Sequence, residues 1–490
     1  MDTGNRAKEI FFWTLVALFF VVSTTLIAYA FGYRYSFKQG IFIYAGSVTL
    51  KTTPQDVHIR INGQEVSSKR LSLINNAYHV GGIRPGEYLL EVSAPDYKSW
   101  HKKITVRSGV STEFWNVQLG RNSYEQKVYE VPNAKRFFIS PRKNLIAALR
   151  EEQNGFSLDV IDPEEETVRS GIFKTAEKLG FAEGENAEWS PQAHRLIIPV
   201  KGSDNQKNYY AINIQDGSAA NLMDISASRE MSHVRWDPEE KDAFFYLAER
   251  NLYWAKVGSK ASPELIASSV SAYDLSSDGI FYMQLPSNIV YRLETNRRGA
   301  AEQITTSSLE DMPGGATELI AYERDRLTLR SASGILYVYN KSPKGQLYLK
   351  KLLADARGSQ FSNDGKKLLY WNDHEIYTYF VRDWETQPQR TENEVMPVTR
   401  FAEKLRNVQW SQDYEHVIFS TGKILKSVEI DQRDQRDMFD ITVFQGNDAL
   451  ATINSADSKI YLSDTLEDGT WIMKSIQLPE ETNFLGMRAN

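Results

Sequence analysis

One pattern recurs along residues 120–490 and limits the folds open to the chain: an apolar or aromatic residue, a Ser or Asp, a turn pair, then an apolar strand. Ile139-Ser140-Pro141 leads to Leu145-Ile146-Ala147-Ala148-Leu149, and Trp189-Ser190-Pro191 to Leu196-Ile197-Ile198. Trp236-Asp237-Pro238, Ser277-Asp278-Gly279, Phe361-Ser362-Asn363-Asp364-Gly365 and Trp410-Ser411-Gln412-Asp413 head four more such units. The turn Ser or Asp falls at 140, 190, 237, 277, 362 and 411, so the gaps are 50, 47, 40, 85 and 49. The 85 is two gaps around a degenerate unit near Leu319-Ile320-Ala321-Tyr322 and Leu327-Thr328-Leu329. Four short strands in each 40–50 residues make a β-propeller blade. A weaker unit at Ala449-Leu450-Ala451 and Lys459-Ile460-Tyr461-Leu462 gives seven or eight blades, with Tyr124 to Val131 as the outer strand that closes the ring. A long sandwich or a pair of β-domains is the competing architecture.

The aromatic-led Ser-Pro or Asp-Gly turn resembles those of TolB-like and WD-repeat propellers, although no Gly-His…Trp-Asp signature is present. That resemblance implies a recognition surface built from loops around one channel mouth. The region expected to form the propeller is 120–480, with 481–490 as a tail, and it is expected to need nothing upstream of Tyr124 to fold.

At the other end, residues 10–31 carry no charge: 22 residues, about 33 Å as a helix, against a hydrocarbon core of about 30 Å. Trp13 at one end and Tyr29, Tyr33 and Tyr35 at the other suit membrane interfaces. Ala28-Tyr29-Ala30 offers a small-x-small cleavage site, but the apolar run exceeds the 7–15 residues of a signal peptide, so an uncleaved transmembrane anchor is expected. Arg6 and Lys8 before the run balance Arg34 and Lys38 after it. The short N-terminus favours residues 1–9 as a cytoplasmic stub, 32–45 as a juxtamembrane segment and everything beyond as extracytoplasmic.

Between anchor and repeats the apolar period becomes two, as in Ser47-Val48-Thr49-Leu50 and Val57-His58-Ile59-Arg60-Ile61. Asn62-Gly63, Pro85-Gly86 and Ser108-Gly109 mark turns, so residues 46–119 are expected to form a small β-sandwich with Tyr88 and Val92 facing its core and Tyr97 and Trp100 capping it. Gly46-Ser47-Val48, Thr53-Pro54-Gln55-Asp56-Val57, Ile61-Asn62-Gly63-Gln64, Ile83-Arg84-Pro85-Gly86-Glu87-Tyr88 and the run from Val92 to Trp100 resemble the bacterial PEGA domain. Asp96 stands where that family usually has Gly, and the turn lacks the Glu of the name. The resemblance implies a cell-envelope module that binds or spaces and carries no known chemistry.

No catalytic, cofactor or metal residues are assigned. The chain has no cysteine, which removes disulfides, thiolate nucleophiles and Cys-ligated metals. The histidines at 58, 79, 101, 194, 233, 374 and 416 form no His-x-His pair, and His374-Glu375 lacks a second zincin histidine because Thr378 stands there. Asn363-Asp364-Gly365 reads as a turn and Glu164-Glu165-Glu166 as a solvated loop. Residues 120–490 hold 44 basic and 55 acidic side chains, which disfavours nucleic acid. The expected function is that of a non-enzymatic, membrane-anchored binding or scaffold protein of the envelope, its partners the bilayer and an envelope protein or glycan. An envelope hydrolase or lyase with a site in the propeller channel is the alternative.

Overall fold

The computed structural model describes residues 3–30, 33–36, 41–66, 69–71, 76–141, 144–153, 155–175, 179–202, 206–228, 230–306, 308–309 and 311–479. The tail at 481–490, the start of the stub and parts of the juxtamembrane segment lie outside them. A helix spans Thr3–Ala30, and within it Lys8–Tyr29 is long and apolar enough to cross a membrane or to serve as a signal sequence. Its apolar side chains, among them Phe12, Phe19, Phe20 and Leu26, touch no protein core and are exposed. The Thr14 and Thr25 hydroxyls donate back to the carbonyls of Ile10 (2.8 Å) and Val21 (2.7 Å), so neither leaves an unsatisfied donor on an apolar surface.

A hairpin of Tyr33–Ser36 and Ile41–Tyr44 leads into a sandwich of two four-stranded sheets. One sheet centres on Gly46–Thr53, flanked by Ala77–Ile83 and, in parallel, by Ser111–Gln118. In the other, His58–Ile61 and Trp100–Val106 flank Gly86–Ser93. Between them lie Val48, Leu50, Ile59, Leu90, Val92, Ile104 and Phe114, with Tyr88 packed at the edge, as the period of two predicts. Asn62 and Gly63, at φ 50° and 77°, form the expected primed hairpin turn.

Among the described residues, eight further sheets follow in chain order and form the blades of a propeller. Blades 1 to 8 occupy 134–174, 180–221, 232–267, 270–303, 318–353, 358–400, 405–443 and 450–477. Blade 8 takes its outer strand from the other end of the propeller sequence: Gln126–Tyr129 pairs antiparallel with Trp471–Gln477. That pairing closes the ring, which leaves no sheet edge between its first and last blades. Eight apolar clusters each join two adjacent blades, the last joining Tyr461 and Met473 of blade 8 to Ala134, Phe137 and Ile146 of blade 1. The apolar runs in the sequence follow from this geometry. Successive strand residues point to opposite faces, so Phe244 packs towards blade 2 while Phe245 packs towards blade 4, and Leu368 and Leu369 divide in the same way.

The recurring turn motif has a separate role for each of its parts. The indole N–H of Trp189, Trp236 and Trp410 donates to an inner-strand carbonyl of the preceding blade, that of Phe138, Glu188 and Gln360 respectively, at 2.9–3.0 Å. Glu188 and Gln360 in turn accept the backbone N–H of Trp236 and Trp410 at 2.9 and 3.0 Å. The Ser or Asp that follows the aromatic caps the hairpin: Ser190 Oγ accepts from the Arg195 N–H (3.0 Å), Ser362 Oγ from that of Lys367 (2.9 Å) and Asp237 Oδ1 from that of Glu239 (2.9 Å). The aromatic therefore ties blade to blade, and the polar residue ties strand to strand.

Candidate functional site

Each blade runs inner strand, turn, second strand, turn, third strand, turn, outer strand. The turns after the first and third strands lie on one face of the ring. The turns after the second strands and the connections between blades lie on the other. The small sandwich covers part of the first face. Lys102, within Trp100–Val106, is fully buried and ion-paired with Glu429, and the Trp100 indole donates to the same carboxylate (3.2 Å). The Lys103 N–H donates to Asp434 (2.9 Å), and Gln387 bonds the Glu113 N–H (3.1 Å) and the Ser111 carbonyl (2.9 Å). Arg433 lies 3.8 Å over the Phe114 ring. Trp100 thus does more than cap its own sheet: it seals the sandwich onto blades 6 and 7. The ring closes on Gln126–Tyr129 without the sandwich, but Glu429 has its charge partner only with it.

Behind that junction lies a buried charge cluster. His416 is ion-paired with Asp413 (2.6 Å), and Lys367 with Glu415. Burial on its own pushes the His416 imidazole down, but Asp413, backed by Glu429 and Glu415, outweighs it and raises the group to about 9. Burial raises Glu415 against the pull of Lys367, while Asp413, despite its burial, is held below the usual range by His416. Because the folded His416 binds its proton more tightly than the unfolded one, its stabilisation is complete below about 6.5 and fades as pH rises through about 9. A melting temperature that falls by a few degrees across that window in the native chain, and stays flatter in His416→Gln, is the expected outcome of a thermal melt series.

Among the described residues, the opposite face is open over blades 2 to 5 and holds two adjoining cavities. The outer one, about 760 Å³, is lined by connections that include Lys207, Glu230, His233, Glu249, Arg250 and Ser271. The inner one, about 670 Å³, descends into the channel between Glu185, His233, Arg235, Asp274, Glu318 and Arg330. His233 and Thr317 border both. His233 sits at φ 52° in a bulge of the inner strand of blade 3, a conformation costing a histidine about 1–2 kcal/mol. Two contacts from neighbouring blades hold it there. Glu185 accepts its N–H (3.0 Å), and the Tyr273 hydroxyl donates to its carbonyl. The imidazole is left exposed at the boundary of the two cavities.

Glu185 organises this mouth. Burial pulls its carboxyl up, but Lys207, 2.6 Å away, and the His233 N–H outweigh that and hold it below the ordinary range. Deeper in, Arg235 bridges blades 2 and 4 through Glu188 (2.9 Å) and Asp274 (2.7 Å), while Arg330 pairs with Glu318 (2.7 Å). The mouth is a half-buried polar surface assembled from residues of four blades.

The residues weighed from sequence lie elsewhere. The His374 N–H is held by Asn372 Oδ1 (2.9 Å) in a hairpin turn, and Asp364 Oδ1 caps its own turn by accepting from Ser362 Oγ (2.6 Å) and the Lys366 N–H (3.0 Å). Glu164 and Glu165 give their N–H groups to Asp162 at 3.0 and 3.1 Å, and Glu166 pairs with Lys127. Among the described residues, no group of three His, Asp or Glu side chains has the spacing of a metal site. In the sequence His233 counted only as one of seven histidines that form no His-x-His pair, and Lys102 drew no attention. Lys102 did carry a signal, because the period of two puts it on the buried face with Trp100 and Ile104.

No family model matches the chain, and no curated protein matches it. Solved structures similar to it include the C-terminal WD40 domain of Sif2, at 10% identity over 73% of this chain and 99% of that one, with a TM-score of 0.49. The Dos1 propeller matches at 10% identity over 75% of this chain and 96% of its own, TM-score 0.48. Sqt1 of Saccharomyces cerevisiae matches at 11% identity over 73% and 98%, TM-score 0.45. This chain is similar to these propellers at a level that leaves its fold resting on its own eight sheets and their closure.

Proposed function

We propose that the chain is a single-pass membrane-anchored binding protein of a bacterial cell envelope, with its N-terminus in the cytoplasm and its β-domains outside. In this reading the helix holds the bilayer and the PEGA-like sandwich is a fixed spacer. The open propeller face recognises a protein partner. The observation that carries the reading is the division of faces: the sandwich, which leads to the helix, occupies one face of the ring, and the cavities open on the other. A surface presented away from its own anchor suits a partner that is not the bilayer itself.

The anchor and the recognition face are tested separately. Leu18→Arg with Val22→Arg places two charges near the helix centre at about 2.5–3.5 kcal/mol each, and the variant is expected to leave the membrane pellet on alkaline washing. A photo-crosslinking residue at Thr317 in intact cells is expected to give a discrete protein adduct, whereas one at Val443, on an outer strand, gives none. Retention of the double-arginine chain overturns the anchor. Equal adducts from both positions, or none from Thr317, overturn the recognition face.

A further inference from the structure

We infer that the inner cavity takes a carboxylate, delivered by an acidic side chain of a protein partner. The inference rests on the reading of the open face as the recognition surface and adds the chemistry of what enters it.

Each carboxylate that lines the inner cavity already holds at least one donor. Glu185 accepts from Lys207 (2.6 Å) and the His233 N–H (3.0 Å). Asp274 accepts from Arg235 (2.7 Å) and the Leu275 N–H (2.8 Å) through one oxygen, and from the Ala321 N–H (2.8 Å) through the other. Glu318 accepts from Arg330 Nε (2.7 Å) through one oxygen, and its other oxygen has no donor among the described residues. The donors are not used up. A guanidinium carries five N–H bonds. Arg235 directs Nε and Nη1 to Glu188 and Asp274. Arg330 directs Nε alone to Glu318. Among the described residues, Nη2 of Arg235 and both Nη atoms of Arg330 have no hydrogen-bond acceptor. The two guanidiniums line one half-buried cavity, with the exposed His233 imidazole above them. What such a site lacks is an acceptor with two oxygens, and a carboxylate meets a guanidinium edge with two parallel bonds.

The outer rim holds exposed Glu230 and Glu249 beside Arg250. These sit in solvent, where a Debye length of about 8 Å damps them, whereas the guanidiniums below are half removed from water. The rim therefore slows an acidic group less than the inner cavity holds it. A uronic-acid glycan would bring the same carboxylate, but sugars pack their C–H faces on exposed rings. Tyr273 is the aromatic residue lining the inner cavity; it is 6% exposed, and its hydroxyl is committed to His233. The lining favours a peptide.

The test is a random-peptide phage selection on the detergent-solubilised full chain, followed by affinity measurements on the selected peptides. The expected peptides contain an acidic residue whose replacement by its amide weakens binding about tenfold or more. Arg330→Met should weaken them similarly. Glu318→Gln, which releases Arg330 from its internal partner, should strengthen them. Both variants alter a half-exposed pair worth little to folding, and a melting curve confirms that the chain is intact. Peptides that are blocked by Thr317→Arg yet tolerate loss of their acidic residue overturn the carboxylate and leave the recognition face standing. Peptides indifferent to every mouth variant, or binding of polygalacturonate in place of any peptide, overturn the protein-recognition reading itself.

Discussion

Glu429→Ala is expected to destabilise the full chain by about 3–5 kcal/mol and to split one unfolding transition into two. The magnitude comes from the partner left behind. The Lys102 side chain is fully buried, and the residue is 0% exposed. Its ammonium meets Glu429 and, more weakly, the carbonyls of Gln435 and Asp431. Without the carboxylate, the ammonium keeps only neutral acceptors in a site sealed by Trp100, and the Trp100 indole and the Asp437 N–H each lose an acceptor. The cheapest escape is for the sandwich to lift off blades 6 and 7 and return Lys102 to water, hence the second transition. Lys102→Met combined with Glu429→Gln removes both charges at similar volume and is expected to recover much of the loss. Urea titration followed by Trp fluorescence reports both steps. A single transition shifted by under about 1 kcal/mol would falsify the idea that this pair locks the two domains.

The ring was legible in the sequence because its two repeated contacts use recognisable residue types. A tryptophan at the end of an inner strand reaches the preceding blade, and a Ser or Asp after it caps the next turn, so Trp189-Ser190, Trp236-Asp237 and Trp410-Ser411 announce themselves. Blade 5 was legible without the motif, as a long gap holding the apolar runs 319–322 and 327–329 that form its first two strands. Its inner hairpin pairs Glu323 directly with Arg326, a turn too tight to need the motif. The candidate site was not legible, for a different reason. Glu185, His233, Asp274 and Arg330 come from four consecutive blades and meet only because those blades pack around one channel. No spacing rule connects residues 41 or more positions apart whose distance depends on the number of blades between them. The bulge that turns His233 outwards is likewise hidden, since Ser232-His233-Val234 has no glycine to mark a positive φ. Lys102 shows the converse: a charged residue in step with Trp100 and Ile104 signals a buried partner, but not that the partner lies more than three hundred residues along the chain.

Ending the chain at Phe444 is expected to abolish cooperative folding and cause aggregation, whereas ending it after residue 479 is expected to leave solubility and unfolding unchanged. The shorter chain loses the three inner strands of blade 8, Leu450–Asn454, Lys459–Thr465 and Trp471–Gln477. Ile460, Leu462 and Ile476 leave the cluster shared with blade 7, and Tyr461 and Met473 leave the one shared with blade 1. At about 1.5–3 kcal/mol for each large apolar side chain, that loss is comparable with the 5–15 kcal/mol by which a domain is usually stable. Gln126–Tyr129 keeps no partner strand, and the apolar faces of blades 7 and 1 are both uncovered. Two such surfaces on one molecule are complementary to those on the next, so open-ended association follows rather than a discrete dimer. Size-exclusion chromatography and thermal unfolding of both truncations in detergent decide the matter. A soluble, monomeric, cooperatively folding 1–444 chain would show that the blades hold each other as an open array and that closure by the strand at 126–129 contributes nothing to stability.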